Sequence, residues 1–127
     1  EENAFNPRAV AALQRAGFAV KNGTGVNPKY EISSDPHKLS VVSFSKKYDH
    51  RGNPKKDFCA VMTCSEADEA CPVIFGADVR VKLLYEDPKS ADGTDYEVNT
   101  YDERCFQIAT EMFHVMKQVF TKLQKIK

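Results

Sequence analysis

The sequence has no excess of charge of either sign and no long apolar run, and both absences narrow its function. Lys plus Arg and Asp plus Glu each total 18 in 127 residues, so the formal net charge is zero. Binding of nucleic acid needs a basic excess or a basic stripe, so we expect no nucleic-acid partner. No segment approaches the ~18 consecutive apolar residues of a membrane span, so we expect no membrane association.

The chain also lacks the marks of a secretory signal and of a metal site. Residues 1–5 read E-E-N-A-F, with no basic region and no apolar core. Four cysteines without secretory marks indicate reduced thiols and a cytoplasmic location. No second close Cys pair and no nearby His-x3-His motif is present, so neither zinc nor another cofactor is expected. The length suits one domain over residues 1–127 and is too short for two.

Two helices are predicted, one near each end of the chain. Asn6-Pro7 is typical of a helix start, with Asn as N-cap and Pro in the first helical position, and Gly17 is the expected C-cap. The second helix is predicted from apolar residues that recur at three- and four-residue steps. They form one buried stripe over about seven turns: Tyr101, Cys105, Ile108, Met112, Val115, Val119, Leu123 and Ile126. His114 is expected at the boundary of this packing.

Four strands are predicted between the helices. Residues 30–33 and 39–45 alternate around a turn cluster, which predicts a β-hairpin or two edge strands. Residues 58–63 form an apolar run and residues 79–85 form another strand, and we predict that the two are buried and parallel. The sequence therefore favours an α/β domain.

Both buried strands end in residues that carry chemistry. The first ends at Cys64, within the segment 60–72 (A-V-M-T-C-S-E-A-D-E-A-C-P), and Cys71 follows seven residues later. The second ends in Glu86-Asp87-Pro88. In open α/β sheets ligands sit at the carboxyl ends of the strands. We therefore expect the chemistry of the protein at this edge, with Cys64, Cys71 and Asp87 as its candidate residues. Cys59 and Cys105 are predicted to be core thiols.

The segment from Cys64 to Cys71-Pro72 resembles the redox segment of thioredoxin-coupled arsenate reductases. These enzymes share the fold of the low-molecular-weight protein tyrosine phosphatases. Residues 6–10 look like the start of that fold's second helix, and Glu86-Asp87-Pro88 looks like its general-acid loop. Residues 101–104 resemble the start of the final helix in bacterial phosphatase-like relatives. The resemblance implies a three-layer α/β/α fold with a parallel sheet, with residues 30–47 as an insertion of unassigned role.

One departure from that family is decisive. Its members bind phosphate with a Cys-x5-Arg loop after the first strand, and no cysteine here has an arginine six residues later. The likeness covers roughly the last two thirds of the family's domain. We therefore expect an N-terminally incomplete domain that lacks the first strands, the first helix and the nucleophile, and that is inactive alone.

The resemblance implies specific roles for the three candidate residues. The absent loop cysteine would attack phosphate or arsenate, and Asp87 would protonate the leaving oxygen. In a reductase, Cys64 would attack the sulfur of the first adduct and Cys71 would resolve it as a Cys64–Cys71 disulfide. A thioredoxin-like reductant would then be a partner. The cysteine pair favours a reductase, but protective disulfides also occur in phosphatases, so both activities stay open.

Three functions from different classes remain open. The chain is the larger part of a phosphatase or arsenate reductase domain, a non-catalytic interaction module that forms a homodimer, or a thiol redox protein that uses Cys64 and Cys71 alone. In the first case the N-terminal phosphate-binding part is cut off, disordered or supplied by a separate polypeptide. Each of the three candidate residues can also have a purely structural role. Cys64 and Cys71 can be small core residues, and Asp87 can be the turn or cap residue that Asp-Pro often is.

Overall fold

The chain forms a mixed α/β structure in a computed structural model, which describes residues 3–35, 37, 39–65 and 73–126. It has two α-helices, α1 (Pro7–Arg15) and α2 (Glu97–Ile126), and a short 3-10 helix, Pro88–Ala91. The strands are β1 (Ala19–Lys21), β2 (Tyr30–Ser33), β3 (Val41–Ser43), β4 (Phe58–Met62) and β5 (Ala77–Lys82). The α/β class predicted from the sequence is confirmed. None of the helices in these described ranges is long and apolar enough to cross a membrane.

Three strands form an antiparallel sheet in the order β1-β2-β3. Tyr30 lies opposite Ser43, and Val20 lies opposite Ile32. The predicted hairpin is confirmed, and β1 adds a third strand to it. The segment predicted as an insertion therefore forms its own small sheet together with the residues that follow α1.

The two apolar strands pair in parallel, as predicted, but they are not buried. β4 and β5 form a two-stranded sheet in which Val61 lies opposite Val81. Met62 is buried, whereas Val61, Val79 and Val81 are 42%, 54% and 43% exposed. Parallel sheets are normally covered on both faces, and no other described strand pairs with either edge of this one. The prediction that these strands are buried is therefore wrong, because the sequence of a strand does not itself supply the element that would cover it.

Helix α1 begins and ends where the sequence predicts. The Asn6 side chain accepts a hydrogen bond from the backbone N–H of Arg8 at 2.9 Å, and Pro7 occupies the first turn. Gly17 follows the helix with φ +94°, a left-handed conformation that glycine adopts without strain. Val10 and Ala12 are the buried residues of this helix.

Helix α2 is longer than predicted and its apolar stripe is only partly covered. It has 30 residues, or about eight turns. Tyr101 is 4% exposed, but Val119 and Leu123 are 44% and 56% exposed. The prediction of one buried stripe is thus wrong for the second half of the helix. The described neighbours of α2 are α1 and the 3-10 helix, and both pack on its first half.

Other apolar side chains of α2 also face solvent. Phe106, Phe113 and Phe120 are 75%, 71% and 64% exposed, and His114, predicted at the packing boundary, is exposed. Buried apolar side chains within the described ranges are Val10, Ala12, Met62 and Tyr101. The core of the described part is therefore small for a chain of 127 residues.

Candidate functional site

The carboxyl ends of β4 and β5 lie side by side. The backbone N–H of Leu83 donates to the carbonyl of Met62, and that of Tyr85 donates to Thr63, each at 3.0 Å. The parallel ladder therefore continues beyond both strands as far as Thr63. Cys64 follows one strand and residues 86–88 follow the other, so the two predicted segments leave the sheet at one edge. This edge is the candidate site.

Cys64 is half-buried at the end of β4. Its predicted partner Cys71 lies outside the described residues, as do the acidic residues between them. The pairing of Cys64 with Cys71 therefore stays a prediction.

Asp87 is an exposed residue that caps the 3-10 helix. Its Oδ1 accepts a hydrogen bond from the backbone N–H of Lys89 at 2.9 Å, and Pro88 occupies the first position of that helix. This geometry agrees with the structural alternative, a cap at an Asp-Pro turn. It also holds the carboxylate at the same sheet edge as Cys64, open to a ligand. The two roles are compatible, because only one carboxylate oxygen makes the capping bond.

A polar cluster that the sequence did not reveal connects this edge to α2. The Tyr85 hydroxyl donates to Glu111 Oε2 at 2.7 Å, and Gln107 Nε2 donates to Glu111 Oε1 at 3.1 Å. Arg104 Nη1 in turn donates to Gln107 Oε1. Burial, followed by the hydrogen bond to Glu111, raises the pKa of Tyr85 to about 12. The hydrogen bonds from Tyr85 and Gln107, together with the Arg104 charge, lower the pKa of Glu111.

Arg104 is the cation of this cluster. Its side chain is 20% exposed, and its Nη2 lies 4.0 Å from Oε2 of Glu86, whose side chain is 99% exposed. The guanidinium carbon is 6.0 Å from the centre of the Tyr85 ring. Its Nε is buried and has no hydrogen-bond partner among the described residues. Arginine binds oxyanions through two parallel N–H donors, so Arg104 has donor capacity that the described residues do not use.

The sequence contained one signal for this cluster. Positions 104, 107 and 111 are three and four residues apart, so they share one face of α2. The spacing alone does not show that Tyr85 contacts that face. That contact depends on where the segment after β5 places Tyr85 against the helix.

Helix α2 is held to α1 by ion pairs and hydrogen bonds. Arg15 Nη2 lies 2.6 Å from Asp102 Oδ1, and Arg8 Nε lies 2.9 Å from Glu97 Oε2. The buried Tyr101 accepts a hydrogen bond from Asn6 at 3.1 Å. These contacts fix the start of α2, and so they also position Arg104.

The two remaining cysteines differ in their surroundings. Cys105 is half-buried in the wall of an apolar cavity between α1 and α2, and burial raises the pKa of its thiol. Cys59 is exposed on β4, so its assignment as a core thiol is wrong. The reason is again that no element in the described part of the chain covers this side of the two-stranded sheet.

No cluster of three or more His, Cys, Asp or Glu side chains that could hold a metal ion lies in the part of the chain that the structure describes. Comparisons with protein-family models, curated proteins and solved structures found no match to this chain.

Proposed function

We propose that this chain is part of a cysteine-dependent domain that acts on phosphate or arsenate, with the fold of the low-molecular-weight protein tyrosine phosphatases. The observation that carries the proposal is the shared edge of β4 and β5, where Cys64 and Asp87 follow adjacent parallel strands. A Cys-x5-Arg loop is needed for the reaction and is not found in residues 1–127. A separate segment would supply that loop, and the domain would act in the cytoplasm.

In the proposed reaction the supplied cysteine thiolate attacks the phosphorus or arsenic atom, and Asp87 protonates the oxygen that leaves. For phosphate, water then hydrolyses the phosphocysteine. For arsenate, the Cys64 thiolate attacks the sulfur of the arsenic adduct, so that a disulfide forms and arsenic leaves reduced by two electrons. Cys71 then attacks Cys64, which frees the loop cysteine, and a thioredoxin-like dithiol reduces the Cys64–Cys71 disulfide.

The uncovered apolar surfaces support a three-layer fold for the completed domain. β4 and β5 expose valines on a sheet whose outer edges pair with no other described strand, and the second half of α2 exposes Phe113 and Phe120. Further parallel strands beside β4 or β5, with a helix against α2, would bury these side chains. A segment that carries the phosphate-binding loop together with a strand and a helix has the required elements.

The test is complementation. The chain is co-expressed with a strand–loop–helix segment bearing Cys-x5-Arg from a low-molecular-weight phosphatase, and the purified complex is assayed with an aryl phosphate and with arsenate plus thioredoxin. We expect activity in the complex and none in either part. A matched segment with serine in place of the loop cysteine should bind equally well and give no turnover. A segment that fails to associate, or associates without activity, contradicts the proposal.

Variants of the complex distinguish the two activities. Cys64→Ser and Cys71→Ser should abolish arsenate reduction and leave aryl phosphate hydrolysis within about twofold, because hydrolysis does not need a second thiol. Cys59→Ser is the matched control and should change neither rate. Loss of both activities in Cys64→Ser would show a structural role for this residue instead.

A non-catalytic interaction module is the second candidate, and the exposed apolar face of α2 favours it. A folded chain with this face uncovered would bury it against a second copy or another protein. Light scattering of the purified chain tests this function: a stable homodimer that remains inactive with the supplied loop supports it. A monomer that becomes active with the loop rules it out in favour of the enzyme.

A further inference from the structure

Helix α2 carries a heptad repeat of exposed apolar side chains. Six residues recur in alternating steps of three and four, which is the a/d spacing of a coiled coil. They are Phe106, Ala109, Phe113, Met116, Phe120 and Leu123. We call these six residues the seam. All six are exposed, and the five large side chains among them are 56–75% exposed. A contiguous apolar stripe of this kind is typical of a surface that binds another helix.

The seam lies on a different side of α2 from the contacts that the helix makes in the described part of the chain. Tyr101 is buried toward α1, where its hydroxyl accepts a hydrogen bond from Asn6, and Glu111 accepts one from Tyr85. At 3.6 residues per turn, these two residues lie roughly 90° and 170° around the helix from the centre of the seam. A helix bound to the seam would therefore leave both contacts in place.

Charge is segregated along α2. Residues 97–111 contain four acidic residues and one arginine, whereas residues 112–125 contain three lysines and no acidic residue. Two of the four acidic residues pair with arginines of α1. A second α2 bound in parallel would bring the two basic halves together. In an antiparallel arrangement each basic half lies along an acidic half, so the charges of the helix are complementary to those of a second copy.

We propose that the seam binds the seam of a second copy of this chain, with the two α2 helices antiparallel. Two-fold symmetry makes each contact between the copies occur twice. With the seams fully overlapped, each a position faces a d position: Phe106 faces the partner's Leu123, Ala109 faces the partner's Phe120, and Phe113 faces the partner's Met116. The smallest residue of the seam thus meets one of the largest, as interdigitated packing requires.

The size of the seam fits a reversible dimer. A fully exposed aromatic side chain presents about 150–250 Å², so the seam presents roughly 600 Å² on each copy. Pairing would remove roughly 1,200 Å² from water, which is the lower end of the range for specific interfaces. We therefore expect a monomer in dilute solution and a dimer at higher concentration. The proposed function calls for a helix against α2, and in this arrangement the second copy supplies that helix.

The experiment is sedimentation equilibrium of the purified chain over a series of concentrations. We expect a reversible monomer–dimer equilibrium with no larger species, because a two-fold pair closes on itself. A chain that stays monomeric at every concentration overturns the proposal and leaves the seam for a different protein. Assembly beyond the dimer also overturns it, because the seams would not be the surface that closes the pair.

A size exchange tests the antiparallel register. Phe120→Ala leaves a gap opposite Ala109, and Ala109→Phe overpacks the same layer, so each should raise the dissociation constant at least about tenfold. The double variant exchanges the two sizes and should return the constant to within about threefold of wild type. In a parallel pair these residues would not face each other, so the absence of rescue contradicts the register. Phe75→Ala, at an 80% exposed phenylalanine outside α2, is the control and should change nothing.

A charge exchange tests the orientation independently. Glu103 is exposed and flanks the seam, and in the antiparallel pair it lies level with the partner's Lys125. Glu103→Lys and Lys125→Glu should each weaken the dimer about threefold, and the double variant should restore it. Asp49→Lys, at an exposed loop position, is the charge-matched control. Circular dichroism confirms the fold of each variant, and single variants without effect contradict the orientation.

The result is separable from the proposed function. A dimer that responds to the size exchange, in a chain that no loop segment activates, supports the pairing and refutes the catalytic proposal. An active complex whose chain is monomeric at every concentration supports the enzyme and overturns this inference.

Discussion

The backbone N–H of Tyr85 donates a hydrogen bond to the carbonyl of Thr63 at 3.0 Å. Thr63 directly precedes Cys64, and Tyr85 lies two residues before Asp87. This contact makes two distant parts of the sequence neighbours. It places the proposed redox cysteine and the proposed general acid on the same side of a parallel ladder, where ligands bind in open α/β sheets. The side chain of Tyr85 then links the same edge to α2 through Glu111.

Asp87 has a structural and a chemical role, and two substitutions separate them. Asp87→Asn retains a good capping residue, so its free energy of unfolding should stay within about 0.5 kcal/mol of wild type. In the complemented enzyme the same change should lower kcat for aryl phosphate by about 10²–10⁴, since no proton can be donated. Asp87→Ala should lose the cap as well, at about 1 kcal/mol. Urea unfolding and steady-state assays give both values, and full activity in Asp87→Asn would leave Asp87 as a cap alone.

Tyr85 should make the fold sensitive to alkaline pH. Its pKa is raised to about 12 in the folded chain, so the folded state binds the phenolic proton more tightly than the unfolded state. The resulting stability is present below about pH 10 and is lost as pH rises toward 12. The free energy of unfolding, measured with urea at pH 9.5 and 11.5, should decrease less between these pH values in Tyr85→Phe than in wild type. The exposed Tyr96 provides the control, because Tyr96→Phe should keep the wild-type decrease.

Glu97 should make the opposite contribution at acid pH. The hydrogen bond from the Gly93 N–H, followed by that from Arg8, lowers the pKa of this carboxyl. A lowered folded pKa gives stability that is present above the unfolded value and is lost as pH falls through the folded one. Glu97→Gln should therefore be less stable than wild type at pH 7 and equally stable below pH 3. The difference should be small and should shrink in high salt, because the Glu97 side chain is partly exposed. A constant difference at all pH values would contradict this origin.

The uneven burial of α2 predicts an uneven response to truncation. Tyr101 is 4% exposed and its hydroxyl bonds both Asn6 and Asp92, so Tyr101→Ala should cost roughly 3–5 kcal/mol. Phe120 is 64% exposed, so Phe120→Ala should change the stability of the isolated chain by less than about 0.5 kcal/mol. Urea unfolding of both variants tests this. A large loss for Phe120→Ala in the isolated chain would mean that this face is already covered, for example by a second copy.

Local signals in the sequence predicted local structure well. Asn6-Pro7 and Gly17 bounded α1, because capping depends on the few residues at the helix end. The parallel pairing of β4 and β5 was also predicted from the sequence. These features depend on short-range chemistry and on strand composition.

Burial and the Arg104 cluster were not predictable in the same way. The spacing of Val119 and Leu123 shows which face of α2 is apolar, but it does not show what covers that face. Tyr85 and Arg104 are far apart in sequence, and their contact depends on where the segment after β5 places Tyr85 against α2. Cys59 was misassigned for the same reason, since its burial requires a neighbouring element that no described residue supplies.

The most direct measurement of the central claim is disulfide trapping in the complemented domain. The complex is oxidised mildly in a Cys71→Ser background, and the cysteine that bonds to the loop cysteine is identified by peptide mass mapping. A disulfide requires the two Cα atoms to approach within about 4.4–6.8 Å. We predict that the loop cysteine bonds to Cys64, at the carboxyl end of β4, and that Cys59 and Cys105 remain thiols. A bond to Cys59, or none to Cys64 under conditions that oxidise the loop cysteine, would contradict the placement of the reaction at this edge.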